Sequence, residues 1–317
     1  MSATTTPALA TFGGDTMGTT WSVRCVAPRH DLHALHRGVQ AVLGDVIAEM
    51  SHWAPDSAIS RFNRAPSGWH ALPEHLYAVL RFALEIARDS DGAFDPAIGE
   101  LVRLWGFGPQ PNTALPPADA AIDTARSRCG WRRLALRDED RHALQPGGMQ
   151  LDLSAIAKGH AVDRVADWLR AQGIDSLLVE IGGELFGAGR KPDGSPWRVL
   201  VEHDPEREQA EADPPILQLD GVAVATSGDR WHRHQIDGRT HAHTLDPRSG
   251  RPLAQAPANV TVVAGSAMHA DALATALSVL GPDAGVAWAT ARGIAVRFLL
   301  ADGRTHATLD FQRYVLA

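Results

Sequence analysis

The chain has 317 residues, 44% of them hydrophobic and 21% charged, a globular composition that excludes a disordered chain, a collagen-like repeat and a long coiled coil. Thirty Lys and Arg against 37 Asp and Glu give a formal charge of −7, a poor footprint for nucleic acid or an anionic membrane, so a polyanionic ligand needs a local device. Cys25 and Cys129 each lack a neighbouring cysteine, which disfavours a disulfide framework, a zinc knuckle and an iron–sulfur cluster and leaves two structural thiols.

Residues 1 to 11, with Thr4, Thr5, Thr6 and Pro7, show no periodicity and read as a flexible arm, with structure expected from Phe12. This region has neither the basic residues nor the apolar core of a signal peptide, and no stretch approaches the ~18 apolar residues of a membrane span. The expected compartment is the cytoplasm, with the periplasm open if a leader has been removed. Leu32, Leu35, Val39, Val42, Leu43, Val46, Ile47 and Met50 keep helical spacing and predict an amphipathic helix over 32–50. A second helix is expected over 74–87, after which Asp91-Gly92 turns the chain into Phe94-Asp95-Pro96. Pro109, Pro111, Pro116 and Pro117 mark a connector over 109–118 that could divide two subdomains. Ser154 is placed to cap a helix ending near Ala171 with Gly173 as its stop, its Val162, Val165, Ala166 and Leu169 inward and Asp163, Arg164, Asp167 and Arg170 outward. Strands are expected at 177–181, 197–201, 222–225, 260–263 and 294–300, with a solvated acidic excursion over 203–215. Helices among short strands, without a regular βαβ rhythm, predict an α+β architecture.

Four constellations could carry chemistry. Asp271 and Thr275, four apart, share one helix face beside the buried stripe of Leu273, Ala276, Leu277 and Leu280, and two hard oxygen donors at that spacing suit Mg²⁺. The same residues also fit a first-turn acid favoured by the helix dipole and a threonine bonding back to a carbonyl. The run from Leu151 to Gly159 reads as strand end, turn and helix start, where backbone N–H groups and Lys158 favour phosphate, although an ordinary capped helix has the same pattern. His232, His234, His241 and His243 form two His-x-His pairs that could hold zinc, but Arg230, Arg233 and Arg239 crowd the same segment. Trp53, Trp105 and Phe107 could stack on a planar heterocycle or belong to a core. Gly182-Gly183 with Gly187 and Gly189 do not complete a dinucleotide-binding fingerprint.

In order along the chain, Thr16-Met17-Gly18-Thr19, Ser57-Ala58-Ile59-Ser60-Arg61-Phe62-Asn63, Gly92-Ala93-Phe94-Asp95-Pro96, residues 151–159, Ile181-Gly182-Gly183, Thr226-Ser227-Gly228-Asp229, residues 243–250 and residues 270–277 resemble the ApbE family, the FAD:protein FMN transferases. The resemblance runs from about residue 12 to the end and implies one flavin transferase domain over 12–317, a compact T-fold-like unit with mixed or antiparallel sheets flanked by helices. It implies that FAD is cleaved with Mg²⁺ and FMN is attached through its phosphate to a Thr or Ser hydroxyl of a target protein, releasing AMP. Some members instead hydrolyse FAD to FMN and AMP. The resemblance puts Met17, Trp53, Ala93, Phe94, Asp95, Asp152, Lys158 and Leu245 around FAD, and Asp271, Thr275 and the main-chain carbonyl of Ala155 around Mg²⁺. His243 is the natural proton acceptor, imidazole being the side chain whose unperturbed titration falls near neutrality, and Asp271 its rival. Two features depart from the pattern: no export leader is visible, and Arg230, followed by Trp231, replaces the customary aromatic after Ser-Gly-Asp. A zinc hydrolase using the histidines and a flavin carrier without turnover are the competing classes.

Overall fold

The structure, a computed structural model, describes residues 9–108, 115–201, 214–228, 234–236, 239–254 and 256–316. The chain opens with the hairpin β1 (Leu9–Thr16) and β2 (Thr19–Val26). Then come α1 (Leu32–Met50), α2 (Ala58–Arg64), β3 (Gly68–Ala71), α3 (Glu74–Asp89), α4 (Gly99–Leu104) and α5 (Asp119–Arg128). β4 (Leu136–Arg137) and β5 (His142–Gln145) complete a small sheet with β3 and lead into α6 (Ala157–Ala171). β6 (Leu177–Ile181), β7 (Glu184–Ala188), β8 (Trp197–Leu200), β9 (Ile216–Leu219) and β10 (Val222–Gly228) follow. The last part holds β11 (His234–Ile236), β12 (Arg239–His241), β13 (Leu245–Asp246), β14 (Arg251–Pro252), β15 (Asn259–Ala264), α7 (Ala267–Leu280), α8 (Pro282–Thr290), β16 (Ala295–Leu299), β17 (Thr305–Ala307) and α9 (Leu309–Gln312).

The frame is an eight-stranded antiparallel sheet in the order β1-β2-β6-β7-β10-β15-β16-β17, so the architecture is α+β. Side chains alternate between its faces. Val179, Ala223, Val260, Val262 and Phe298 enter the main core with α1, α6 and α7, while Leu178, Val224, Val263 and Ala295 join Trp197, Leu217 and Phe311 on the opposite face. Each Val, Leu or Phe among them contributes about 1.5–3 kcal/mol when fully buried, and here both faces collect that gain. A satellite cluster of Leu101, Trp105, Ile122, Ala125, Cys129 and Leu245 ties α4 and α5 to β13. Both cysteines are free and buried, and burial pushes each thiol up to about 11, which keeps it protonated and unreactive.

Helix α1 has the expected bounds, its start fixed by the Asp31 carboxylate accepting from the His33 N–H at 2.9 Å. Leu32, expected inward, is exposed. Helix α3 runs two residues past the expected Ala87. β1 already includes residues 9–11, while residues 1–8 of the expected arm lie outside the described residues, as do 109–114 of the connector and 203–213 of the acidic excursion. Among the described residues no helix is long and apolar enough to cross a membrane.

Candidate active site

The expected Ser154 cap does not form. The Asp152 carboxylate accepts from the Ser154 N–H at 2.8 Å and bends the chain into a turn, and α6 starts only at Ala157 with Ile156 at its cap position. A helix start leaves four N–H groups without intrahelical partners. One of them, on Gly159, donates across the interface to Asp271 Oδ2 on α7 at 3.0 Å. The reverse contact is also made. Asp163, expected to face outward, accepts from the N–H groups of Ala267 and Met268 at the start of α7 at 2.7 and 2.9 Å. Each helix therefore caps the other with a carboxylate placed at the positive end of its partner's dipole. This crossing requires Gly159, because a Cβ there would lie 2.3 Å from the Ala267 carbonyl oxygen.

That junction gathers buried charge. Lys158 Nζ lies 2.5 Å from Glu184 Oε1, and Glu184 is 2% exposed and Asp271 6%. Burial raises the Glu184 carboxyl, with the Asp271 charge adding to the rise and Lys158 opposing it. Burial also raises Asp271, against the pull of Lys158 and the Gly159 N–H. The second Glu184 oxygen, Oε2, is buried with no hydrogen-bond partner among the described residues. Among the described residues one ammonium thus faces two carboxylates, and a further cation would relieve the imbalance. Thr275 is half-buried one turn beyond Asp271 on α7, and Ala155 is half-buried in the turn before α6. Carboxylate, hydroxyl and main-chain carbonyl are hard oxygen donors, so the residues fit Mg²⁺. Among the described residues no three His, Cys, Asp or Glu side chains form a metal-ligand group. His232 lies outside the described residues, and His234 and His241 are opposed in the β11–β12 register.

Two tight hairpins adjoin this junction. Met17 and Gly18 have φ of +48° and +74° between β1 and β2, and Gly182 and Gly183 have φ of +58° and +98° between β6 and β7, both left-handed pairs of the kind two-residue hairpins use. The Gly182 N–H donates to the Thr20 carbonyl at 3.1 Å, and a Cβ on Gly182 would lie 2.8 Å from the Thr19 side chain. The turns therefore sit side by side, with Glu184 the first residue beyond the second. Met17 is half-buried against the main core.

The remaining expected residues fall into separate groups. Trp53 is 62% exposed, available for stacking, while Trp105 is buried with its Nε1–H donating to the Gly250 carbonyl. Beside Trp53, His52 Nε2 lies 3.9 Å from Asp152 Oδ2, and the Asp152 N–H donates to the Pro96 carbonyl at 2.9 Å, which joins this segment to Phe94-Asp95-Pro96. Asp95 accepts from the Ala97 and Trp131 N–H groups, and burial pushes its carboxyl up to about 6. The side chains of Ala93, Phe94 and Leu245 are buried, Phe94 in the main core and Leu245 in the satellite cluster. His243 is half-buried between β12 and β13.

The family model described as the ApbE family matches residues 17–298, from the hairpin at Met17 past Thr275. The chain belongs to the ApbE family. A Vibrio cholerae relative named FAD:protein FMN transferase is 35% identical over 310 residues, covering 96% of this chain and 92% of the relative. A Salmonella typhimurium relative of the same name is 34% identical, covering 96% and 88%. Among solved structures, the apo form of the flavinyl transferase ApbE from Pseudomonas stutzeri is similar with a TM-score of 0.89 and 39% identity over 98% of both chains. The flavin transferase ApbE from Vibrio cholerae gives 0.87 and 34%, covering 97% of this chain and all of that one.

Within this ApbE-family fold, three residues that sequence reasoning passed over shape the site. Glu184 brings the buried carboxylate, and its only signal in sequence is an acid directly after a Gly-Gly turn in an apolar run. Asp163 looks like a solvent-facing helix residue until α7 arrives over it. Asn63 receives the Leu151 N–H on its Oδ1 at 2.8 Å and donates Nδ2–H to the Leu151 carbonyl at 2.9 Å, a side-chain imitation of strand pairing that anchors the segment leading to Lys158.

Proposed function

We propose that the protein transfers the FMN moiety of FAD to a Thr or Ser hydroxyl of a target protein in a Mg²⁺-dependent reaction that releases AMP. The observation that carries this reading is the junction at the start of α6, where the Glu184-bound ammonium of Lys158, a helix N-terminus and Asp271, an acid that suits a divalent cation, meet. Asp271, Thr275 and the Ala155 carbonyl would hold Mg²⁺, which when bound neutralises pyrophosphate oxygens and the charge that develops on departing AMP. Lys158 binds a phosphate oxygen of FAD through its ammonium, and the α6 N-terminus favours the same negative charge. Trp53, the Met17 hairpin, Ala93, Phe94, Asp95, Asp152 and Leu245 line the remainder of the flavin nucleotide.

His243 accepts the acceptor hydroxyl proton as the oxygen bonds to the FMN phosphorus and the bond from phosphorus to the AMP phosphate breaks, its electron pair leaving with AMP. Asp271 is the weaker candidate for that proton because its carboxylate already accepts from Gly159 and is needed for the cation. The name shared by the relatives and the family match support the same reaction. The test is incubation with FAD, Mg²⁺ and a candidate acceptor protein, read by mass spectrometry. The expected result is one FMN increment on a Thr or Ser with equimolar AMP. AMP and free FMN without acceptor labelling, across several acceptors, would identify a pyrophosphatase instead.

A further inference from the structure

We propose that Glu184 is a positioning residue for divalent-cation binding: by engaging the Lys158 ammonium it keeps that cation off Asp271 and leaves the Asp271 carboxylate for the metal. The inference rests on the reading that Asp271 holds the metal. Lys158 acts electrostatically on both acids, yet its ammonium is bonded to Glu184, at 2.5 Å. An ammonium paired with a metal ligand competes with the metal for it, and in a water-poor site the competition is strong.

Glu184 is built to win that contest. It opens β7, in register with Ile181 across a two-residue turn that is itself bonded to Thr20, so its backbone is held by the sheet. Its side chain is almost wholly buried and cannot turn to solvent. Asp271 comes from the opposite side on α7 and is oriented by the Gly159 N–H. The ammonium is thereby offered a fixed partner that is not a metal ligand.

The experiment titrates Mn²⁺ into chelator-treated, FAD-free protein and follows free Mn²⁺ by electron paramagnetic resonance. Glu184→Gln keeps the shape and removes the charge, and should lower Mn²⁺ affinity about tenfold as Lys158 turns to Asp271. Lys158→Met should raise the affinity, and the double variant should match Lys158→Met. Unchanged affinity in Glu184→Gln overturns the proposal, and so does a loss that persists undiminished in the Lys158→Met background, which would make Glu184 a ligand itself. If Glu184→Gln does not fold, Lys158→Met alone decides, an unchanged or weakened affinity being contrary. A different failure separates the underlying reading: no Mn²⁺ binding by the unaltered chain, or parental binding by Asp271→Asn, removes the Asp271 site and the proposal with it.

Discussion

Replacing Lys158 with alanine strips the ammonium from Glu184 and from the proposed phosphate site together. Glu184, its carboxyl already raised by burial, can take a proton once Lys158 is gone instead of remaining an unpaired buried charge, so the fold absorbs little of the loss. FAD binding should absorb most of it, about 1.5–3 kcal/mol or roughly 10–150-fold in Kd, measured by flavin fluorescence titration beside a melting curve. An unchanged Kd would remove Lys158 from the phosphate. His243→Ala should behave differently, keeping FAD bound while transfer slows about 10²–10⁴-fold in single-turnover assays. His160 provides a stability test. It is buried in α6 beside the His75 ring, and burial chiefly, with the charges of His75 and Arg164, pulls its pKa down from 6.5 to about 4. The unfolded chain therefore binds the extra proton first, so this residue's stabilisation is complete above pH 6.5 and is lost as pH falls toward 4, about 3 kcal/mol in all. Asp163 and Asp95, both raised, act with the opposite sign over part of that window. Urea unfolding at pH 4.5 and 7 should accordingly show a smaller acid-induced loss in His160→Gln than in the parent, and equal losses would contradict the assignment.

At the scale of elements, the crossing of α6 and α7 governs the site. Gly159→Ala forces a methyl group against the Ala267 carbonyl, which is backbone and yields little. It should cost about 3 kcal/mol and displace Asp271, so both melting temperature and activity fall, whereas Gly44→Ala, in open space on α1, should not disturb either. The two contacts explain what the sequence could and could not disclose. Helices 32–50 and 74–87 are legible because their apolar stripes are local. The start of α6 is not, because Ser154 resembles a cap while the capping carboxylate, Asp271, arrives from 112 residues away. Glu184 is hidden for the same reason, since its burial depends on the helices laid over β7. The Met17-Gly18 turn lacks the usual Asn-Gly signal, and Met17 adopts a positive φ that costs a non-glycine residue about 1–2 kcal/mol.

Over the whole molecule, the middle of the central sheet presents both faces to apolar cores, so β6, β10, β15 and β16 appear in sequence as short runs rich in Val, Leu, Ile and Ala. Strand existence is visible in that pattern, but alternation, order and pairing are not, and an all-antiparallel sheet could be anticipated only as mixed or antiparallel. The proposed site residues that the sequence does mark are Lys158 in the first turn of α6 and, on α7, Asp271 with Thr275 one turn beyond it, and the fold supplies the partners that turn Lys158 and Asp271 into a charged junction. The central claim is that this junction binds the cation needed to cleave FAD and transfer FMN. The most direct measurement is a Mg²⁺ titration of chelator-treated parent and Asp271→Asn protein, with FAD and acceptor present, scored by FMN on the acceptor and AMP in solution. The account predicts activity restored by Mg²⁺ in the parent, with a steep fall and a much higher Mg²⁺ requirement in Asp271→Asn. Superimposable Mg²⁺ curves, or restoration by Zn²⁺ but not Mg²⁺, would contradict it.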